Sequence, residues 1–490
     1  MSLGNAYSIG RQFGGGDLPL SGVPMPAFMK TRIALVAAVL VLPLAASAQQ
    51  NTFPSDSAVL AILKERVTDK RSAGMVVGIL EPDGRTRIVA FGDAGPGQPP
   101  LDGNSVFEIG SISKVFTSTV LAQLVNEGKV KLEDPVRKFL PAAAKMPSRN
   151  GKEITLGNLS MQNSGLPRMP SNFSPADPKN PFADYRAPQL YAFLAGYTLP
   201  RDPGETFEYS NLGVGLLGLA LSSAMGMSYE AMENERVWTP LGMTHTAITM
   251  TPWMKEHLAL GHDESGAVTP NWDLGVLEGA GAIRSTTIDM LKFADANLHP
   301  ERGAIGKAAA LAQKERAPTT SPSMGIGLNW MNLHVGADTI VWHNGGTGGY
   351  RTFLGLQSST KRAVVILTNT AGAGADDIGM HFLVPSIPLA PKPAAVKQRV
   401  AIEIAASKLE QYVGEYQLAP MFSIVVTVEN GMLTGQATGQ QKFRLWAETP
   451  RDFFIKEVDA QVTFEVDAAG TVTNLVLHQN GRDQPGKKVK

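Results

Sequence analysis

Apolar, β-branched runs lie at both ends of the first 385 residues of this chain and are scarce between them. Gly74–Leu80 and Thr86–Gly92 flank Pro82-Asp83-Gly84, the composition of a hairpin turn. Strand patterns return only at residues 328–335, 339–342, 350–356 and 363–368, after a long helical and loop-rich stretch. A sheet built from such separated pieces must close around whatever lies between them. The reading is an α/β fold: an antiparallel sheet flanked by helices, one of them starting near Ser55, with a helical insert.

A proline-rich passage, Val384-Pro385-Ser386-Ile387-Pro388-Leu389-Ala390-Pro391-Lys392-Pro393, has the composition of a stiff linker. Beyond it, short strand patterns at 409–418, 422–429, 432–437, 442–446, 453–456, 461–466 and 472–478 alternate with turns such as Asn430-Gly431. They predict a small antiparallel β-barrel-like domain. The expected organisation is a main domain over 49–385, a linker over 386–405 and a β domain over 406–490, in keeping with a length of 490 residues.

Met29-Lys30-Thr31-Arg32, the apolar run 33–44 and Ala46-Ser47-Ala48 make the three parts of a secretory signal peptide over 29–48, with cleavage before Gln49. Export to the periplasm or medium follows, with no stable membrane anchor, because a spanning helix needs about 20 apolar residues. Residues 1–28 read as an extension or a misassigned start. A net charge of zero without a long basic run argues against a nucleic-acid partner. The absence of cysteine excludes disulfides and thiolate chemistry.

Ser111 and Lys114, in Phe107-Glu108-Ile109-Gly110-Ser111-Ile112-Ser113-Lys114, stand three residues apart at the mouth of an apolar helix, where i and i+3 share a face. A serine beside a lysine becomes nucleophilic if the lysine loses its proton, which needs a pKa pulled down from about 10.4. The pattern alone is weak, because Ser358-Ser359-Thr360-Lys361 repeats it between two strand patterns, as a solvated turn. Gly213-Val214-Gly215-Leu216-Leu217-Gly218 matches a dinucleotide pattern without the preceding strand, so close helix packing explains it better. The histidines show no zinc-binding spacing, and no G-x-S-x-G elbow occurs. No metal and no cofactor is expected. Tyr209-Ser210-Asn211 and Trp342-His343-Asn344-Gly345-Gly346 each have ordinary structural readings when taken singly.

Together, Ser111-x-x-Lys114, Tyr209-x-Asn211 and His343-Asn344-Gly345 resemble the penicillin-recognising serine hydrolases, closest to the class C β-lactamase group with its D-Ala-D-Ala peptidases and carboxylesterases. Gln162-Asn163-Ser164-Gly165-Leu166-Pro167, Pro240-Leu241-Gly242-Met243-Thr244-His245-Thr246 and Gly279-Ala280-Gly281-Ala282-Ile283-Arg284 extend the likeness. The resemblance implies a β-lactamase/transpeptidase-like sheet, with Ser111 as acylated nucleophile and Lys114 and Tyr209 as its proton-handling partners. The Lys114 charge would favour a tyrosinate at Tyr209. Substrate binding would fall to Asn211, His343, Asn344 and Gly345, and the backbone amides of Ser111 and Gly346 would form the oxyanion hole. His343 stands where the β-lactamases most often carry lysine, as a weaker, pH-dependent cation for a substrate carboxylate. The implied activity is β-lactam hydrolysis through an acyl-enzyme, with ester or D-amino-acid peptide hydrolysis as the alternative. A non-catalytic cell-wall binder is the contrasting class. The partner is a small-molecule substrate.

Overall fold

The computed structural model describes residues 52–392, 399–419, 422–429, 431–438, 442–456, 460–479 and 482–489, in two compact units that divide between Ala390 and Pro391. Residues 1–28, the signal-peptide segment and 393–398 of the expected linker lie outside the described residues.

In the first unit, helix α1 (Asp56–Thr68) opens with Ser55 accepting from the Ala58 amide and buries Val59 and Leu63. Strands β1 (Gly74–Leu80) and β2 (Thr86–Gly92) form the expected hairpin. Strand β3 (Val106–Glu108) leads into helix α2 (Ser113–Asn126), and helix α3 (Asn211–Met225) follows within the insert. Strand β4 (Arg284–Thr286) pairs with β3, and helix α4 (Thr287–Leu298) follows it. The C-terminal strands are β5 (Ala317–Pro318), β6 (Met324–Ile326), β7 (Met331–Val335), β8 (Asp338–Gly346), β9 (Arg351–Gln357) and β10 (Arg362–Thr368), with helix α5 (Asp376–Leu383) behind them. The main sheet runs β2-β1-β10-β9-β8-β7-β6-β5 and is antiparallel throughout, its two sequence-distant halves joined at the β1–β10 pair.

Period-two alternation divides the core. Met75, Val77 and Ile79 of β1 face α1 and α5, while Val76 and Leu80 face the helical insert. The expectation that α2 buries one apolar face is too modest. Every residue from Ser113 to Leu124 is buried, so its polar side chains must find partners. Thr117 pairs with Tyr229 at 2.6 Å and donates to the Gly279 carbonyl at 2.9 Å, and Ser118 pairs with Ser160 at 2.7 Å. The glycines of the 213–218 segment are packing residues. A Cβ on Gly215 would stand 2.6 Å from Leu277, and one on Gly218 would stand 3.0 Å from the Gly279 Cα.

The expected linker does not begin at 386. Ile387 and Leu389 pack on the α1–α5 side of the sheet, and the Ala390 amide donates to Asp377 at 2.7 Å, so the chain leaves this unit only after Ala390. In the second unit the expected strand 409–418 is divided: Ala406–Leu409 and Glu410–Tyr412 are helical, and β11 is Gly414–Ala419. β12 (Phe422–Glu429), β13 (Met432–Ala437), β14 (Lys442–Arg444), β15 (Trp446–Ala447), β16 (Asp452–Ile455), β17 (Ala460–Val466), β18 (Val472–Gln479) and β19 (Arg482–Lys488) complete an antiparallel sheet in the order β14-β13-β12-β11-β19-β18-β17-β16-β15. Its two edge strands are consecutive in sequence, joined through Leu445, so the sheet curls almost into a closed barrel around Tyr412, Tyr416, Phe453 and Phe464.

In the first unit Phe116 of α2 stacks on Phe293 of α4 with ring centroids 3.9 Å apart, both fully buried. Phe116→Ala is expected to destabilise this unit by about 3–5 kcal/mol. A calorimetric scan checks this: the transition of the first unit moves down and that of the β unit stays.

Candidate active site

The Ser111 turn begins with two backbones that touch. β3 ends at Glu108, the Ile109 amide donates to the Ile283 carbonyl, and Gly110 turns the chain at φ +53° into the single 3₁₀ turn, Gly110–Ile112, that carries Ser111. A Cβ on Gly110 would lie 2.6 Å from the Gly346 nitrogen, and one on Gly345 would lie 1.9 Å from the Ile109 oxygen. Only glycine allows this approach, and Thr352 closes it by donating to the Ile109 carbonyl at 2.8 Å. Ser111 is thereby set against the end of β8.

Lys114 lies one helical turn on, fully buried. Its Nζ donates to Ser111 Oγ at 2.9 Å, Asn211 Oδ1 at 2.9 Å and the Ala280 carbonyl at 2.6 Å. Burial holds its pKa well below the usual lysine range, and the positive charge of Arg168 adds to the effect. Tyr209 turns its ring to Lys114, with Nζ 4.9 Å from the centroid, and its phenol interacts with Ser111. Burial pushes the phenol up to about 12, against smaller downward pulls from Ser111 and Arg168. Burial thus favours the neutral phenol. Both directions, up for the Tyr209 phenol and down for the Lys114 ammonium, run against the expected tyrosinate beside a Lys114 cation.

The Tyr209 segment is fixed by the 162–168 loop. Gln162 Oε1 accepts from the Ser210 amide at 2.7 Å, and Ser210 Oγ donates to the Pro167 carbonyl at 2.7 Å. The cap of α3 is Ser210, whose Oγ accepts from the Gly213 amide at 2.8 Å, which leaves the Asn211 amide to reach Lys114. Gln162 Nε2 in turn donates to Asn329 Oδ1, and Asn329 Nδ2 to Ser118 Oγ, each at 2.8 Å. This buried polar chain ties the Tyr209 loop to α2.

His343 is 2% exposed, with its ring centroid 6.2 Å from that of Tyr209. Its Nδ1 lies 2.6 Å from the Asn344 carbonyl, which can only accept, so Nδ1 carries the proton and Nε2 is an acceptor. Burial first, and then Lys114, lower its pKa to about 3. The expected cation is a neutral imidazole.

Asn344 does not join the site. Ile340, Trp342 and Asn344 alternate onto the α5 side of β8, and Asn344 Nδ2 donates to Asp376 on α5 at 2.6 Å. One residue of strand register separates it from His343. Ser111, Lys114, Tyr209, Asn211, His343, Gly345 and Gly346 are brought together. Ser358, in the rival Ser-x-x-Lys match, is exposed in the β9–β10 turn.

A narrow cleft opens over Ser111, lined by Asn211, Trp272, Leu274, Gly346 and Thr347. Its Trp272 wall is held by Glu108, whose Oε1 accepts from the Trp272 amide at 2.7 Å and from Arg284 at 3.2 Å. The motifs do not single out Ala280, Glu108 or Arg168 as site residues. A backbone carbonyl leaves no side-chain signal, whereas Arg168 directly follows the family-like Gln162–Pro167 segment.

Residues 59–385 match the protein family described as Beta-lactamase, and residues 398–488 match a domain of unknown function, DUF3471. The D-alanyl-D-alanine-carboxypeptidase/endopeptidase AmpH of Escherichia coli K12 is 32% identical over 302 residues, 58% of this chain and 76% of that protein. Penicillin-binding protein 4* of Bacillus subtilis is 26% identical over 417 residues, 80% and 89% of the two chains. A β-lactamase of Pseudomonas fluorescens is 27% identical over 335 residues, 61% and 88%. Among solved structures, a class C β-lactamase superposes with a TM-score of 0.58 at 21% identity, covering 68% of this chain and 96% of that one. A match over residues 59–385 takes in more than half of the 490 residues, and the chain belongs to the β-lactamase family of penicillin-recognising serine hydrolases, which act on amide or ester bonds.

Proposed function

We propose that Ser111 is the nucleophile of an acyl-enzyme mechanism in which Lys114, as a neutral amine, is the base. The observation that carries this is the fully buried Lys114 Nζ, pKa well lowered, 2.9 Å from Ser111 Oγ. As Oγ bonds to the substrate carbonyl carbon, its proton passes to Nζ. The amides of Ser111 and Gly346 receive the oxyanion. Tyr209, protonated at rest, hands its proton to the leaving group as the carbonyl–leaving-group bond breaks, and is recharged from Lys114. A water then attacks the acyl carbon by the same route in reverse, restoring Ser111.

The substrate class we propose is an ester or an internal amide of a D-amino-acid peptide, acting after export by the 29–48 segment. Asn211 holds the acyl portion, and His343 faces the leaving side with Nε2 as an acceptor, suited to an amide N–H or a hydroxyl and poorly suited to a carboxylate. The AmpH relative, named as a carboxypeptidase and endopeptidase, supports the peptide class. β-Lactam hydrolysis is the second reading, supported by the Pseudomonas fluorescens relative. Short-chain p-nitrophenyl ester turnover well above cephalosporin turnover is the expected ranking, and the reverse ranking sinks the first reading.

Ser111→Ala is expected to abolish labelling by a fluorophosphonate, while Ser358→Ala leaves it intact; label retained in the first variant points to another nucleophile. Lys114→Arg, which holds its charge at every working pH, should slow acylation by about 10²–10⁴-fold. In the wild type the acylation rate should climb with pH through the lowered Lys114 pKa and fade below it.

His343 has its own pH signature. With a folded pKa of about 3 against 6.5 unfolded, only the unfolded chain takes up its proton as pH falls between those values. Its contribution to stability is thus complete above pH 6.5 and declines toward pH 3. Nitrogen-15 spectra should show a neutral, Nδ1-protonated ring from pH 5 to 8, and a midpoint near 6.5 would refute this.

A further inference from the structure

Arg168 is a cation beside Tyr209 whose guanidinium N–H groups have no protein acceptor among the described residues. It is exposed, its guanidinium carbon lies 5.1 Å from the Tyr209 ring centroid, and no ion pair or side-chain hydrogen bond engages it among the described residues. Its backbone is firmly held, since the Arg168 carbonyl accepts from the amides of Asn211 at 3.1 Å and Leu212 at 3.3 Å. The root of the side chain is thereby held next to Asn211, and contact with the face of the Tyr209 ring leaves the guanidinium N–H donors free.

Other cations nearby are engaged, wholly or in part, by backbone and side-chain acceptors. Lys114 is enclosed by three protein acceptors. Arg351 Nη1 donates to the carbonyls of Thr347 at 3.0 Å and Tyr350 at 2.9 Å. His343 donates to a carbonyl and presents an acceptor. An exposed guanidinium beside Tyr209, on a backbone bonded to the start of α3, offers a place on the Asn211 side of Ser111 where a substrate anion can be met.

We propose that Arg168 is a specificity-determining residue that binds a carboxylate on the acyl portion of the substrate, on the Asn211 side of Ser111, so that the enzyme prefers acidic acyl groups. The inference rests on the acyl-enzyme reading above and adds the charge of the acyl group to it. Planar N–H donors match a carboxylate in two-point geometry, which lysine cannot reproduce. A second consequence concerns Lys114: the Arg168 charge that helps keep Lys114 deprotonated is neutralised when an anion binds, so the acid limb of the rate profile moves up in pH with an anionic substrate.

The test compares two esters with one leaving group, p-nitrophenyl hexanoate and mono-p-nitrophenyl adipate, in wild type, Arg168→Gln and Arg168→Lys. The expected result is a wild-type preference for the adipate in kcat/KM. That adipate-to-hexanoate ratio falls at least tenfold in Arg168→Gln and recovers only partly in Arg168→Lys. The wild-type preference should shrink as salt is raised. A ratio unchanged by Arg168→Gln, or a wild type without preference for the adipate, overturns the proposal, and a purely structural role for Arg168 would depress both esters together. Should Ser111 fail to acylate with either ester, the acyl-enzyme reading itself falls, an outcome distinct from an active enzyme with an unaltered ratio.

Discussion

Lys114 is a buried amine whose neighbours define the site. Bringing an ammonium out of water costs several kcal/mol unless it is paired or gives up its proton, and no carboxylate is among its hydrogen-bond partners. Its three acceptors come from three separate segments: the Ser111 turn, the start of α3 and the 275–280 turn. Each must be in place for Nζ to be satisfied. The demand that lowers the Lys114 pKa is the same demand that draws the insert onto the Ser111 turn.

The second constraint is the contact between the Ser111 turn and β8. Gly110 and Gly345 give up side chains so that the Ile109 carbonyl and the end of the strand can meet, and the buried chain from Ser118 through Asn329 and Gln162 to the Ser210 amide holds the opposite wall. Ser111 thus sits between two surfaces fixed independently of each other. The Ser111, Lys114 and Tyr209 side chains can then keep one geometry, which is what the proposed chemistry requires.

Much of this was legible in the residues. The split distribution of strand patterns foretold a sheet closed by the two ends of the unit, and the order of Ser111, Lys114, Tyr209, Asn211 and His343 foretold their meeting. Asn344, which the motif resemblance sets beside His343 in the site, faces the other way because a strand sends neighbours to opposite faces. The last strand, Arg482–Lys488, went unseen because Arg-Asp-Gln-Pro-Gly-Lys-Lys has no apolar alternation, yet it pairs β18 with β11 and so brings the barrel round. The prolines of 386–390 give the stretch a linker's composition, although Ile387 and Leu389 pack on the sheet.

The sequence by itself determined which chemical groups this protein possesses and their order along the chain, because motif spacing and strand periodicity are local properties. Protonation was decided elsewhere. Whether Lys114 is a base or a cation, Tyr209 a phenol or a phenolate, and His343 a charge or an acceptor depends on desolvation by segments hundreds of positions apart. Only the tertiary structure supplies that burial, and with it left Arg168 as the exposed charge at the mouth of the site.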